Sequence, residues 1–192
     1  MKVLCFGSLN IDYTYRVPHF VQKGETLAAE EMNVFCGGKG FNQAVAFARA
    51  GAETYHAGAI GKDGLFLLDS LKNAGVHTEL VAVLEDQKTG CAIIQNDHSG
   101  DNCIMLYGGT NRTITRKMAD RVLEKFGQDD VLVLQNEINI MKELGLPLII
   151  EGIENKEQSD EMERLGVDYI QGYYYGRPMP EEDCLRYIRS FL

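Results

Sequence analysis

The run Cys36-Gly37-Gly38-Lys39-Gly40-Phe41-Asn42-Gln43-Ala44 constrains the fold more than any other stretch of the chain. Glycine inside a helix costs about 1 kcal/mol relative to alanine, so Gly37, Gly38 and Gly40 predict a turn whose backbone comes close to something else. A helix is expected at once over 41–50, where Phe41, Ala44, Val45 and Ala48 recur at helical spacing until Gly51 breaks the pattern. Lys39 and Asn42 then sit at its N-terminal mouth, where unpaired N–H groups and the positive end of the dipole favour a polar ligand. The turn does not read as a nucleotide P-loop, because Lys39 is followed by Gly40 where that motif needs Ser or Thr for a metal.

Around this turn, short apolar runs alternate with amphipathic stretches. Residues 2–7 read as a buried strand running into Ser8-Leu9-Asn10-Ile11-Asp12, so two polar side chains leave its carboxyl end, where open α/β sheets bind ligands. Segments 12–17 and 31–35 alternate in polarity around Pro18 and Gly24 and suggest a β flap. Further strands are expected at 54–60, 80–84, 91–95, 104–107 and 130–134, and helices at 64–74, capped by Asp63, and at 115–126. The strand ending at Leu134 would present Gln135, Asn136 and Glu137. This order predicts an α/β fold, a parallel sheet with a β flap. Asn10 with Asp12, Lys39 with Asn42, and Glu137 then fall on one edge of the sheet. Carboxylates, carboxamides and a lysine are donors and acceptors suited to vicinal hydroxyls, as a sugar requires. Singly, each reads equally well as a cap or a surface polar residue.

Other function classes are disfavoured by charge. A net charge of −9 leaves no basic stripe to replace phosphate counterions, which argues against nucleic acid and against an anionic membrane surface. The first residues are too short an apolar run for a signal segment and no stretch reaches the length of a membrane helix, so a cytoplasmic protein is expected. Cys5, Cys36, Cys91, Cys103 and Cys184 form no C-x-x-C pair and read mostly as small buried hydrophobes. His19, His56, His77 and His98 lack metal-ligand spacing and read as surface or structural residues.

These residues resemble the ribokinase (PfkB-type) carbohydrate kinases. Gly7-Ser8-Leu9-Asn10-Ile11-Asp12 is similar to that family's opening motif, Gly24-Glu25-Thr26 to the loop entering its lid, and Gly37-Gly38-Lys39-Gly40-Phe41-Asn42-Gln43-Ala44 with Gly51 and Gly61 to its first signature. Gly58-Ala59-Ile60-Gly61-Lys62-Asp63-Gly64 and Leu134-Gln135-Asn136-Glu137 extend the resemblance over about 2–140. It implies a ribokinase-like parallel sheet with helices on both faces and a small β lid, here truncated. It implies that Asn10, Asp12, Gly38, Lys39, Asn42 and Glu137 hold a ribose-like sugar, and that ATP, with Mg, donates a phosphoryl group to a primary hydroxyl. A homodimer through the lid strands 13–17 and 31–35 is a further expectation. The family's later Gly-Ala-Gly-Asp motif, whose Asp is the base, does not occur in this sequence, so no catalytic residue is assigned and the chain is expected to be catalytically incomplete.

From Glu143 onward the pattern predicts a strand at 146–150, a helix at 156–165, a strand at 169–173 and a helix from Pro180 to the end. Glu151-Gly152-Ile153-Glu154-Asn155, Leu165-Gly166-Val167-Asp168-Tyr169-Ile170-Gln171-Gly172-Tyr173-Tyr174 and Arg177-Pro178-Met179-Pro180 resemble the end of an EAL-type cyclic-di-GMP phosphodiesterase over about 142–192. That resemblance implies two TIM-barrel-derived β/α units, with Glu151, as a remnant metal ligand, and Gln171 at strand ends. The expected division is therefore 1–140 and 141–192, a fusion of the two. The alternatives to a kinase-related protein are a cyclic-di-GMP binding or phosphodiesterase-related fragment and a non-catalytic sugar-binding or oligomerisation module.

Overall fold

In the computed structural model, which describes residues 1–135, 149–150, 152–164, 169–177, 179–180, 183 and 186–187, β1 (Lys2–Phe6) lies between β4 (Glu53–Gly61) and β8 (Val131–Leu134). With β5 (His77–Leu84) outside β4, these strands make a parallel sheet of order β5-β4-β1-β8. Helices cover both faces, which is why β1 reads as an unbroken apolar run. Val3 and Cys5 pack against Phe41 and Ala44 of α1 (Lys39–Arg49) and Leu67 and Leu71 of α2 (Leu65–Asn73). Leu4 and Phe6 face the other way, against Ala119 and Val122 of α3 (Arg116–Leu123). Thr115 caps α3, its hydroxyl accepting from the Met118 N–H.

The flap is a second sheet of four strands. Its order is β3-β2-β6-β7, built from β2 (Asn10–Arg16), β3 (Glu31–Gly37), β6 (Gly90–Asn96) and β7 (Asn102–Tyr107). The expected strands 91–95 and 104–107 therefore complete the lid, with β2 parallel to β6 and antiparallel to β3. Strands 13–17 and 31–35 pair with each other within the chain. β2 is hydrogen-bonded on both sides, so among the described residues β3 and β7 form the outer edges of this sheet. Met32, Val34, Phe35, Ile104, Met105, Leu106 and Tyr107 on those two strands are all exposed.

A latch fastens the lid to the body. The Asp63 carboxylate accepts from the Thr89 N–H at 3.1 Å and its hydroxyl at 2.8 Å, and the Thr89 oxygen accepts from the Gly61 N–H at 2.9 Å. Asp63 thus ties the start of β6 and does not cap α2, whose N-terminus carries no side-chain cap. Burial pushes the Asp63 carboxyl upward, but the two Thr89 bonds and Lys88 outweigh it and hold it below the ordinary carboxylate value. A depressed folded-state pKa contributes stability above the unfolded value that is lost as pH falls through the folded one. Asp63→Ala is expected to lower stability by about 1 kcal/mol at neutral pH and by less in acid, measured by thermal melts. A loss that did not shrink in acid would assign the latch to packing alone.

The chain divides at Met1–Leu144 and Gly145–Leu192. In the second unit β9 (Ile149–Ile150) and β10 (Tyr169–Ile170) pair in parallel, with α4 (Lys156–Arg164) between them in sequence. The Asn155 side chain accepts from the Gln158 N–H at 2.9 Å and the Gln158 side chain from the Glu154 N–H at 2.8 Å, which fixes the start of α4. The expected strand 169–173 stops at Ile170. Ile153 crosses over Gly172, exchanging backbone bonds with Gln171 and Tyr174, and 173–175 turn away. The expected segments 146–148 and most of 181–192 lie outside the described residues. Among the described residues no helix is long and apolar enough to cross a membrane.

Candidate functional site

Two chain crossings from body to lid meet at one corner. β1 passes through Gly7, Ser8 and Leu9 into β2, and β3 passes through Gly38 into α1. Asn10 opposes Gly37 in the lid ladder, so the two crossings touch. Gly38 holds φ +99°, and a Cβ there would lie 2.6 Å from the Ser8 carbonyl oxygen. A Cβ on Gly40 would lie 2.7 Å from the Gly7 carbonyl carbon. The glycines are therefore required for close approach, as expected, and what they approach is the protein's own Gly7–Ser8 backbone.

α1 begins at Lys39, two residues earlier than the periodicity indicated. Its mouth is already partly occupied: the Phe41 N–H donates to the Ser8 carbonyl at 3.1 Å and the Gly40 N–H to the Ser8 hydroxyl at 3.5 Å. The amides of Gly40 and Phe41 are thus engaged internally. Polar chemistry at this corner belongs to the side chains of Lys39 and Asn42, both exposed on the first turn and three residues apart.

Asn10 is buried at 4% exposure, and its Oδ1 accepts from Asn111 Nδ2 at 2.7 Å. Asp12 lies on the same face of β2, two residues on, with its carboxylate folded over the bare α-carbon of Gly37. Five of the six sugar-contact candidates, Asn10, Asp12, Gly38, Lys39 and Asn42, accordingly belong to this junction. Glu137 lies outside the described residues, as do Asn136 and Glu151. β8 ends beside β1, and the side chain of Gln135 lies over Gly7 and donates to Gln43 Oε1 at 2.6 Å. Gln171 is exposed at the end of β10.

Asn111, in the turn after β7, was not singled out by sequence reasoning. Its local signal, a Gly-Gly-Thr-Asn run, says only that the chain turns. Burial pushes the Cys5 thiol up to about 12, and burial followed by the Asp63 and Asp12 carboxylates raises Cys91. Cys5 alone among Cys5, Cys36, Cys91 and Cys103 is fully buried, so the expected role as buried hydrophobe holds for that residue. Among the described residues no three His, Cys, Asp or Glu side chains gather to hold a metal ion. The Gly40 and Phe41 amides of the glycine turn are taken up by Ser8 and are not offered to a phosphate.

The profile of the pfkB family of carbohydrate kinases matches residues 1–158. The ribokinase of Staphylococcus aureus (strain COL) is 39% identical over 142 residues, 72% of this chain and 47% of that protein. The crystal structure of ribokinase from Thermotoga maritima superposes with a TM-score of 0.71 at 27% identity, covering 98% of this chain and 68% of that one. The structure of Arabidopsis thaliana ribokinase complexed with ribose and ATP superposes with a TM-score of 0.64 at 27% identity, covering 80% and 55%. The chain spans about half the length of the curated ribokinases it matches.

Proposed function

The chain belongs to the pfkB family of carbohydrate kinases, and on that premise we propose that it binds a ribose-like sugar through Asn10, Asp12, Gly38, Lys39, Asn42 and Glu137. The observation that carries this reading is the junction itself, where a lid carboxylate and carboxamide meet the first turn of α1 across a glycine that leaves no side chain in the way. Asp12 accepts, Lys39 donates and the carboxamides do both, which matches hydroxyls that each donate once and accept. The solved relative complexed with ribose and ATP supports the choice of ligand.

ATP is the phosphoryl donor that the family implies, and magnesium its usual companion. The family's Gly-Ala-Gly-Asp motif does not occur in this sequence, so the proposed role is sugar recognition without turnover by this chain. The second unit is proposed to derive from the end of an EAL-type domain, on the strength of its Glu151-Gly152-Ile153 and Gln171-Gly172-Tyr173 runs and a division of the chain at 144/145, close to the expected 140/141. A cyclic-di-GMP module is the second functional reading. Self-association is proposed through the exposed lid edges β3 and β7, with localisation in the cytoplasm.

Calorimetric titration with ribose, ATP and cyclic-di-GMP, followed by an ATP-consumption assay, tests this. Ribose is expected to bind, and Asp12→Ala to weaken it about ten- to a hundredfold, the range of a hydrogen bond to a charged group. Ribose-dependent ATP consumption would overturn the absence of turnover. Absence of ribose binding would remove the site, and heat released by cyclic-di-GMP alone would favour the second reading.

A further inference from the structure

We infer that Asn111 is a positioning residue for the sugar site, which fixes the Asn10 carboxamide with its NH2 group offered to the ligand; this rests on the sugar-binding role proposed above for Asn10. Both side chains are buried at 4% exposure, where an unmade hydrogen bond is costly. The Leu9 N–H can only donate, and it donates to Asn111 Oδ1 at 3.0 Å. That contact sets which way round the Asn111 amide lies. Its Nδ2 must then point at acceptors, and it donates to the Leu9 carbonyl at 3.2 Å and to Asn10 Oδ1 at 2.7 Å. Reversing Asn111 would set two donors against each other at Leu9.

The Asn10 orientation follows from this. With Oδ1 engaged by Asn111, its NH2 hydrogens are what it offers a ligand. Two residues along the same face Asp12 is an acceptor only, so a hydroxyl that donates to Asp12 needs a donor beside it. Asn10 supplies one only in the orientation that Asn111 dictates. The surroundings hold the pair in place. Thr110 donates from its hydroxyl to the Ala59 carbonyl at 2.8 Å and from its N–H to the Lys88 carbonyl at 2.9 Å. Gly90 passes beneath, and a Cβ on it would lie 2.2 Å from Asn111 Nδ2 and 2.4 Å from Asn10 Oδ1.

The test uses the full chain. Asn111→Asp keeps an acceptor for Leu9 but cannot donate when ionised, so Asn10 turns its NH2 group toward the introduced carboxylate. Gly90→Ala keeps both carboxamides and wedges a methyl group between them. Each is expected to weaken ribose binding about tenfold or more by calorimetry. Gly51→Ala, remote and exposed, serves as a destabilised control that binds ribose normally. Side-chain amide NMR supplies a readout that general destabilisation would not move. In the parent protein the Asn111 NH2 protons exchange slowly and ribose shifts the Asn10 NH2 signals; in Asn111→Asp the Asn10 protons become the slowly exchanging pair. If Asn111→Asp does not fold, Gly90→Ala and the parent exchange pattern decide. Parent-like ribose affinity in the variants, or a protected Asn10 amide in the ligand-free parent, overturns the positioning role alone. Absent ribose binding by the parent, or unchanged binding in Asn10→Ala, overturns the sugar site and the positioning role with it.

Discussion

Gly38→Ala is expected to destabilise the larger unit by about 3 kcal/mol, measured by urea unfolding followed by circular dichroism. Two independent effects combine at this residue. Its φ of +99° is strained for any L side chain, and the added methyl group meets the Ser8 carbonyl oxygen at 2.6 Å, where backbone on both sides must yield. Gly51 separates the effects, because it has φ +87° and nothing within 4 Å of a Cβ. Gly51→Ala should cost about 1 kcal/mol, the conformational part alone. Gly40→Ala isolates the collision. In an open helix this substitution stabilises by about 1 kcal/mol, but here the methyl group meets Gly7 and Ser8 backbone within 2.8 Å, so the sign should reverse. Equal effects of Gly38→Ala and Gly51→Ala would show that the Ser8 crossing is not tightly packed.

The second large effect is on acid stability and comes from His56. It is fully buried on β4, among the described residues neither ring nitrogen has a hydrogen-bond partner of good geometry, and burial pushes its pKa down to about 4, opposed by a weak contact with the Gly7 backbone. An unfolded histidine titrates near 6.5. Between those values the unfolded chain holds a proton that the folded chain refuses, so stability falls as pH drops from about 6.5 to about 4 and this contribution changes no further below that. The full loss is about 3 kcal/mol. His56→Leu removes the proton uptake and leaves no unpaired polar ring, so its stability should be flatter over this window. Parallel pH profiles for the two proteins would place the acid sensitivity elsewhere.

What local pattern could reveal, the sequence revealed. The apolar run of β1, the glycine turn, α1 and the alternation of β2 and β3 all depend on neighbours within a few positions, and each was legible. Lid membership of β6 and β7 was not, because a parallel partner far along the chain leaves no mark on a strand's own alternation. The start of α1 was misjudged because glycine usually argues against helix, and here Gly40 is helical so that it can clear Gly7. Asp63 has the residue type of a cap, but Thr89 claims its carboxylate. Ser8 filling the mouth of α1, and Asn111 reaching Asn10, are contacts across loops that no spacing rule encodes.

The pairing of β2 with β6 also sets an order of assembly. The β2–β3 hairpin can form once Gly37 has been synthesised, but its other neighbour, ending at Asn96, follows roughly 3–12 s later at ordinary rates of translation. Through that interval the inner edge of β2 is an open template. Long-range parallel pairing is slow to nucleate even when its partner is present. A strand that ends up paired on both sides in the finished lid is thus left open on one side while the chain is being made.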